Sequence, residues 1–257
     1  MTTTPIRPRT ALVTGGAQRL GRAIALALAA DGWDVAVHYH DSQDAALATV
    51  AEIRALGRRA HAVHHDLDSA ADMTPLFEAC ESVLGPVHAI VNNASRFEHD
   101  TAASFTLAAF EAHMRTNVAA PVRLAVALHD RLPADSRGVV VNLLDQKLWN
   151  PNPDFLSYTL SKAALESATG LLARALAPQV RVVGVAPGIT LPARGQTAAG
   201  FEAAHRATPL GRGSTPEDIA AAVIYLVNAP AVTGTTVIVD GGQHLLPTTR
   251  DIMFLTS

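Results

Sequence analysis

Short apolar runs alternate along this chain with longer stretches whose apolar residues recur three and four positions apart. The runs over 11–13, 35–39, 59–64, 89–91, 139–143, 182–185 and 236–239 predict strands, most of them apolar on both faces and rich in β-branched residues. The stretches 20–30, 44–56, 73–84, 118–132, 156–176 and 217–227 predict helices with one apolar stripe each. A strand followed by a helix, repeated, gives parallel strands with crossover helices, and strands apolar on both sides need helices on both faces. The expected fold class is α/β, a doubly wound parallel sheet.

Turn residues punctuate the ends of these strands: Thr14-Gly15-Gly16, Asn92-Asn93, Pro187-Gly188 and Asp240-Gly241-Gly242. Ligands in doubly wound sheets collect at such strand ends. The segment 189–213 carries few structural signals and follows a strand end, which reads as a mobile substrate lid. There is no internal repeat, low-complexity tract or charge block, and 151–153 is too short for a linker, so residues 1–257 are expected to form one domain.

Composition narrows the partners. Hydrophobic residues make up 49% and charged residues 17%, which excludes a disordered chain. A formal net charge of -3 with scattered Lys and Arg gives no footprint for nucleic acid or an acidic membrane. Cys80 has no second cysteine to pair with, which suits a reducing compartment. The first ten residues lack the apolar core of a signal peptide, and no run of about 18 apolar residues follows, so a cytoplasmic location is expected.

The first candidate for chemistry is Thr14 to Gly21, which follows the first strand and opens the first helix, where free N–H groups and the helix dipole favour a pyrophosphate. The second is Tyr158 with Lys162, four apart on one helix face. An ammonium about 4 Å from a phenol, at an effective dielectric of about 20, favours the phenolate by roughly 4 kcal/mol, which lowers a tyrosine pKa by up to about three units. Tyr158 is therefore expected to exchange protons near neutral pH.

With Asn92-Asn93-Ala94, Tyr158 to Lys162, Pro187-Gly188 and Asp240-Gly241-Gly242 in this order, the chain resembles the short-chain dehydrogenase/reductase family over about residues 9 to 246. The resemblance implies a Rossmann-type, seven-stranded parallel sheet, a nicotinamide dinucleotide, Tyr158 and Lys162 as catalytic residues, and Asn117 in support through a water relay to the lysine. It assigns the cofactor to Gly15, Arg19, Leu20, Gly21, Tyr39, His40, Ser42, Asp66, Leu67, Asn93, Ala94, Ser95, Pro187, Gly188 and Ile189, together with Tyr158 and Lys162. It also implies a homo-oligomer, commonly a tetramer.

The departures from the ordinary family pattern point one way. Asp145 stands where the family has a serine thirteen residues before the tyrosine, and Arg19 replaces the middle glycine of the phosphate loop. An ionised carboxylate destabilises a developing alkoxide, whereas a carboxylic acid of raised pKa can protonate nitrogen during C=N reduction. With His38-Tyr39-His40 and with Ser95 and Phe97 after the fourth strand, the chain resembles the pteridine reductase branch. That resemblance implies a small pterin-like substrate held by Arg19, Ser95, Phe97, Asp145 and Tyr158, with Phe97 stacking it on the nicotinamide. Asp41 stands where the branch carries an arginine for a 2'-phosphate and would repel that phosphate if both faced the same space, but His40 and Ser42 can still donate to it, so NADPH is expected and NADH is the alternative.

Other constellations carry less. His61, His64 and His65 do not share a strand face, so no metal is expected. Ser157 and Ser161 lack a histidine base at a hydrolase spacing. The alternatives to a pterin reductase are a family member acting on a ketone or another imine, and a dinucleotide-sensing protein without turnover. The C-terminal extension 247–257 has two possible destinations for its apolar residues Ile252 to Leu255: a neighbouring subunit's site or its own core.

Overall fold

In the computed structural model, the described residues are 9–68, 72–192 and 196–255. Seven strands pair in parallel in the order β3-β2-β1-β4-β5-β6-β7. They are β1 (Thr10–Val13), β2 (Asp34–Tyr39), β3 (Ala60–His64), β4 (Val87–Asn92), β5 (Gly138–Leu143), β6 (Val180–Pro187) and β7 (Thr236–Val239). Every predicted strand is present, with ends moved by at most two residues. Arg59 falls outside β3: its backbone N–H donates to the Asp34 carboxylate, and its guanidinium binds Asp34 and the carbonyls that end the third helix.

Strand alternation divides the core into two layers. Ala11, Val13, Val35, Val37, Val91, Val141 and Val185 face helices α1 (Arg19–Ala30), α2 (Gln43–Ala55) and α8 (Pro216–Asn228). Leu12, Ala36, Ile90, Val140 and Val182 face α3 (Thr74–Leu84), α5 (Ala120–Arg131) and α6 (Leu156–Ala175). Phe77, Leu12, Ile24, Leu124 and Leu165 are among the fully buried side chains, and each such side chain contributes roughly 1.5–3 kcal/mol of hydrophobic stabilisation.

Two helices were not predicted. Helix α4 (Leu107–Met114) runs through a π turn at Arg115–Ala119 into α5. The predicted helix 118–132 thus begins earlier and carries an irregular first turn, which π geometry allows without a proline or glycine to mark it. Helix α7 (Ala198–Arg206) lies within the segment expected to be a lid; residues 193–195 of that segment are outside the described residues, as are 256–257 of the C-terminal extension. Among the described residues, no helix is long and apolar enough to cross a membrane.

Because all strands are parallel, the ends at Val13, Tyr39, His64, Asn92, Leu143, Pro187 and Val239 lie along one edge of the sheet. The strand order reverses between β1 and β4, and a crevice opens there. Asn93 closes its base: its amide Nδ2 donates to the carbonyls of Thr14 (2.9 Å) and Gly15 (3.1 Å). The Thr14 hydroxyl accepts from the backbone N–H groups of Asn93 and Ala94, both at 3.0 Å.

Candidate active site

The loop from Thr14 to Gly21 is held by close packing. A Cβ on Gly21 would lie 2.1 Å from the Gly15 carbonyl oxygen and 2.6 Å from Asn93 Nδ2, so only glycine fits. Arg19 has φ of 51°, a left-handed conformation that costs an L-residue roughly 1–2 kcal/mol. Arginine thus occupies a backbone geometry suited to glycine, and its guanidinium Nη2 reaches the Pro192 carbonyl at 2.9 Å, beside the segment after β6. The first turn of α1 has no side-chain cap, leaving its end suited to an anion.

His38, at the end of β2, grips this loop. Its Nδ1 accepts from Gly15 N–H at 3.1 Å and its carbonyl accepts from Gly16 N–H at 2.9 Å. With Nδ1 accepting, Nε2 carries the proton and donates to the His65 carbonyl at 3.0 Å. Burial pushes the His38 pKa down to about 4, which keeps the ring neutral and this tautomer in place.

The chemistry sits across the crevice, between the end of β5 and the start of α6. Asp145 is extended and caps a single 3-10 turn: its Oδ1 accepts from Lys147 N–H at 2.8 Å. Its Oδ2 accepts from the Tyr158 hydroxyl at 2.8 Å. Tyr158 is placed by the start of α6, which Asp100 fixes from far away in sequence. Asp100 Oδ1 accepts from Ser157 N–H at 3.0 Å, its other oxygen accepts from the Ser157 hydroxyl, and its carbonyl accepts from Leu156 N–H at 3.2 Å. One turn further along, Lys162 Nζ donates to the Leu143 carbonyl at 2.7 Å and lies 5.6 Å from the centre of the Tyr158 ring.

This geometry corrects the expectation for Tyr158. Its pKa is raised well above the ordinary value, first by burial and then by the negative charge of Asp145, to which it donates. Proximity to Lys162 does not dominate, because the phenol oxygen faces the carboxylate rather than the ammonium. Burial also raises the Asp145 pKa, against the lowering effects of its hydrogen bonds and of Lys162. Burial lowers Lys162 to about 8, with Asp145 opposing the shift. The acid whose pKa moves towards neutrality is therefore Asp145.

Asn117 lies in the π turn and is buried. Its Nδ2 donates to the Ser161 hydroxyl (2.9 Å) and the Arg96 carbonyl (3.0 Å); its Oδ1 accepts from Arg96 N–H (2.8 Å) and the Ser95 hydroxyl (3.3 Å). Its full hydrogen-bonding capacity joins the loop after β4 to α6, and a water relay through it requires one of these bonds to open. Ser157 and Ser161 are likewise occupied in fixing α6, Ser161 by donating to the Tyr158 carbonyl at 2.6 Å.

A cavity of about 360 Å³ collects most of the sequence candidates: Arg19, Leu20, Asn93, Ser95, Phe97, Asp145, Tyr158, Lys162, Pro187, Gly188 and Ile189 all line it. A second cavity of about 400 Å³ is lined by His38, His40, Asp66, Leu67, Ala94 and Ser95, so Ser95 borders both. Gly15 and Gly21 stand behind these walls as packing residues. Tyr39 and Ser42 line neither cavity: Tyr39 packs on the core and lies 5.5 Å from the His64 ring. Phe97 is 49% exposed, stacked on Phe155 at 4.3 Å and edge-on to Tyr158 at 4.7 Å. Sequence reasoning missed Lys147, Gln243 and Asp251, which also line the first cavity; Ile252 and Met253, for which it offered a neighbour's site or the core, line this cavity of their own chain. No motif marks Lys147 or Asp251, and Gln243 stands just past the Asp240-Gly241-Gly242 turn.

The family model described as enoyl-(acyl carrier protein) reductase matches residues 15–244. The chain belongs to the short-chain dehydrogenase/reductase family. Among relatives in this oxidoreductase family, a putative ketoacyl reductase of the granaticin polyketide synthase from Streptomyces violaceoruber is 33% identical, covering 92% of this chain and 96% of the relative. Pteridine reductase 1 of Leishmania tarentolae is also 33% identical, covering 95% and 99%. The crystal structure of FolM alternative dihydrofolate reductase 1 from Brucella canis, complexed with NADP, is 40% identical, with a TM-score of 0.89 and coverage of 95% and 97%. The two cavities and the glycine loop all lie at the carboxyl edge of the sheet.

Proposed function

We propose that this protein is an NADPH-dependent reductase of pterins, converting a dihydropterin to its tetrahydro form at a C=N bond. The observation that carries the reading is the Tyr158 hydroxyl donating to a buried carboxyl, Asp145, in the place where the family pattern has serine. Pterin and folate reductases among the relatives support it. The residues present fit a dinucleotide: Gly21 keeps the loop low, the end of α1 is uncapped by side chains, and Lys162 holds a buried ammonium beside the Tyr158 ring.

When bound, NADPH supplies the hydride. Asp145, kept protonated to higher pH than an ordinary carboxyl, gives its proton to the substrate nitrogen. The Tyr158 hydroxyl then hydrogen-bonds the aspartate that remains, and Lys162 offsets its charge. Phe97 offers a half-exposed ring face at the cavity mouth for a flat heteroaromatic ring, and Arg19 and Ser95 offer donors. Towards a 2'-phosphate the chain presents His40, Gln18 and Ser42, the last two 3.5 Å apart, while Asp41 is turned to His40 Nδ1 at 3.2 Å. NADH is the alternative cofactor.

Steady-state oxidation of NADPH and NADH with dihydropterins, dihydrofolate and a ketone panel tests the reading. Pterin turnover with NADPH is expected; ketone turnover with none of any pterin sinks it. That second outcome is the reading the ketoacyl reductase relative favours. The His38 clamp gives a separate expectation: His38→Ala keeps the backbone bond to Gly16 but frees Gly15 N–H from the imidazole, and should raise the Kd for NADPH about tenfold in a fluorescence titration, roughly the worth of a buried hydrogen bond. An unchanged Kd would show that the loop holds its shape without the imidazole.

We also propose a homo-oligomer. Val126 on α5 and Leu160 and Leu171 on α6 are exposed apolar side chains on the helices that the family packs between subunits, and sedimentation velocity measures the assembly.

A further inference from the structure

We infer that the chain's own C-terminal segment, residues 249–255, forms the outer wall of the substrate cavity, and that Lys147 is the positioning residue that ties this wall to Asp145. Asp251, Ile252 and Met253 line the cavity together with Asp145 and Tyr158. The segment is pinned at two buried points. Asp154, whose side chain is 1% exposed, accepts from Arg250 Nε at 2.7 Å and from Asp251 N–H at 2.8 Å. Lys147, whose side chain is 4% exposed, donates to Asp251 Oδ2 at 3.2 Å and to the Asp154 carbonyl at 2.6 Å.

The wall and the acid share a holder. Lys147 N–H donates to Asp145 Oδ1 while the Lys147 ammonium holds Asp251, so a single residue sets the carboxyl and the face opposite it. Asp251 in turn accepts from Met253 N–H at 3.2 Å, which fixes the turn that presents Ile252 and Met253. The ring of Phe254 lies parallel to Phe155 at 6.1 Å, and Phe155 stacks on Phe97, so aromatic packing runs from the segment to the cavity mouth. A buried ion pair holds its geometry strongly, because losing one partner strands the other charge without water.

Ile252 and Met253 line the same cavity as Phe97, an apolar border that suits the rim of a flat bicyclic heteroaromatic ring; Met contacts such rings at their edge through a polarisable sulfur. An open-chain ketone fills that slot poorly. The inference rests on the proposed reduction of a pterin-type ring for its substrate class, but not for the pinned wall itself.

The test compares wild type with Lys147→Met, Asp251→Asn, the double variant and Met253→Ala, using the full chain with NADPH, a dihydropterin and a series of ketones of increasing ring size. Met253→Ala and Lys147→Met are each expected to raise KM for the dihydropterin about tenfold, with a smaller change in kcat. The double variant should be no worse than Lys147→Met alone, since either change breaks the same pair. Trypsin cleavage after Arg250, followed by mass spectrometry of the released peptide, should be about tenfold faster in Lys147→Met, as expected for local opening.

Additive effects in the double variant, or a tail equally protected in wild type and Lys147→Met, would overturn the coupling. An unchanged KM in Met253→Ala, which leaves both pins intact, would overturn the wall even if Lys147→Met does not fold. Should wild type reduce ketones and no pterin, the proposed function fails alone; the dependence of KM on ring size and the trypsin rates then decide the wall.

Discussion

Replacing Tyr158 with phenylalanine is expected to lower kcat by about two to three orders of magnitude, the usual worth of one hydrogen-bond donor aimed at charge that develops in the transition state. The change removes one oxygen and leaves the ring, its edge contact with Phe97 and the helix start held by Asp100. NADPH affinity should stay within a few-fold, because Lys162 keeps its bond to the Leu143 carbonyl. Loss of the hydroxyl also deprives Asp145 of a hydrogen bond that favours its ionised form, so the carboxyl pKa should climb further. Steady-state kinetics with a cofactor titration separates the effects; a kcat within threefold of wild type would show that the aspartate left by proton transfer does not need the phenol.

The second large effect is expected at Asp145. A proton donor works only while protonated, so kcat/KM for the pterin should fall as pH rises through the raised Asp145 pKa, by about tenfold per unit well above it. Asp145→Asn should remove that limb and reduce the rate by about two to four orders of magnitude. Asp145→Ser should lose the pterin activity and gain on ketones, since a neutral hydroxyl can donate to a developing alkoxide that a carboxylate would repel. Stability gives an independent readout. With its folded pKa raised, the buried carboxyl takes up a proton on folding in the interval above its ordinary pKa, so its penalty shrinks as pH falls and is full at higher pH. Above the raised pKa the Asn variant should therefore melt higher relative to wild type than it does in acid. An unchanged pH profile in Asp145→Asn would count against its role as the acid.

These two expectations show where the electrostatics depart from sequence arithmetic. Four-residue spacing does put Lys162 near Tyr158, but the spacing is silent on which way the phenol oxygen turns. It turns to Asp145, and burial of all three groups then outweighs the lysine's pull. Tyr39 illustrates a related limit: it ends β2 beside the phosphate loop in sequence terms, yet the strand alternation that sends His38 to the loop sends Tyr39 to His64 and the core.

The sequence by itself determined the sheet. Apolar runs with no polar side can be satisfied only between two helical layers, and the glycine, asparagine and proline signals at their ends mark one functional edge. It also determined half of the residues around the cavity that holds Asp145 and Tyr158, because these follow strand ends directly or share a helix face. Only the tertiary structure decided what supports the site from a distance: Asp100 holding the start of α6, the partners that Asn117 finds from a π turn, and Lys147 meeting Asp251 of the segment after β7. Periodicity records which face of an element is buried. It carries no information about which buried partner a long-range charge or chain reversal will find.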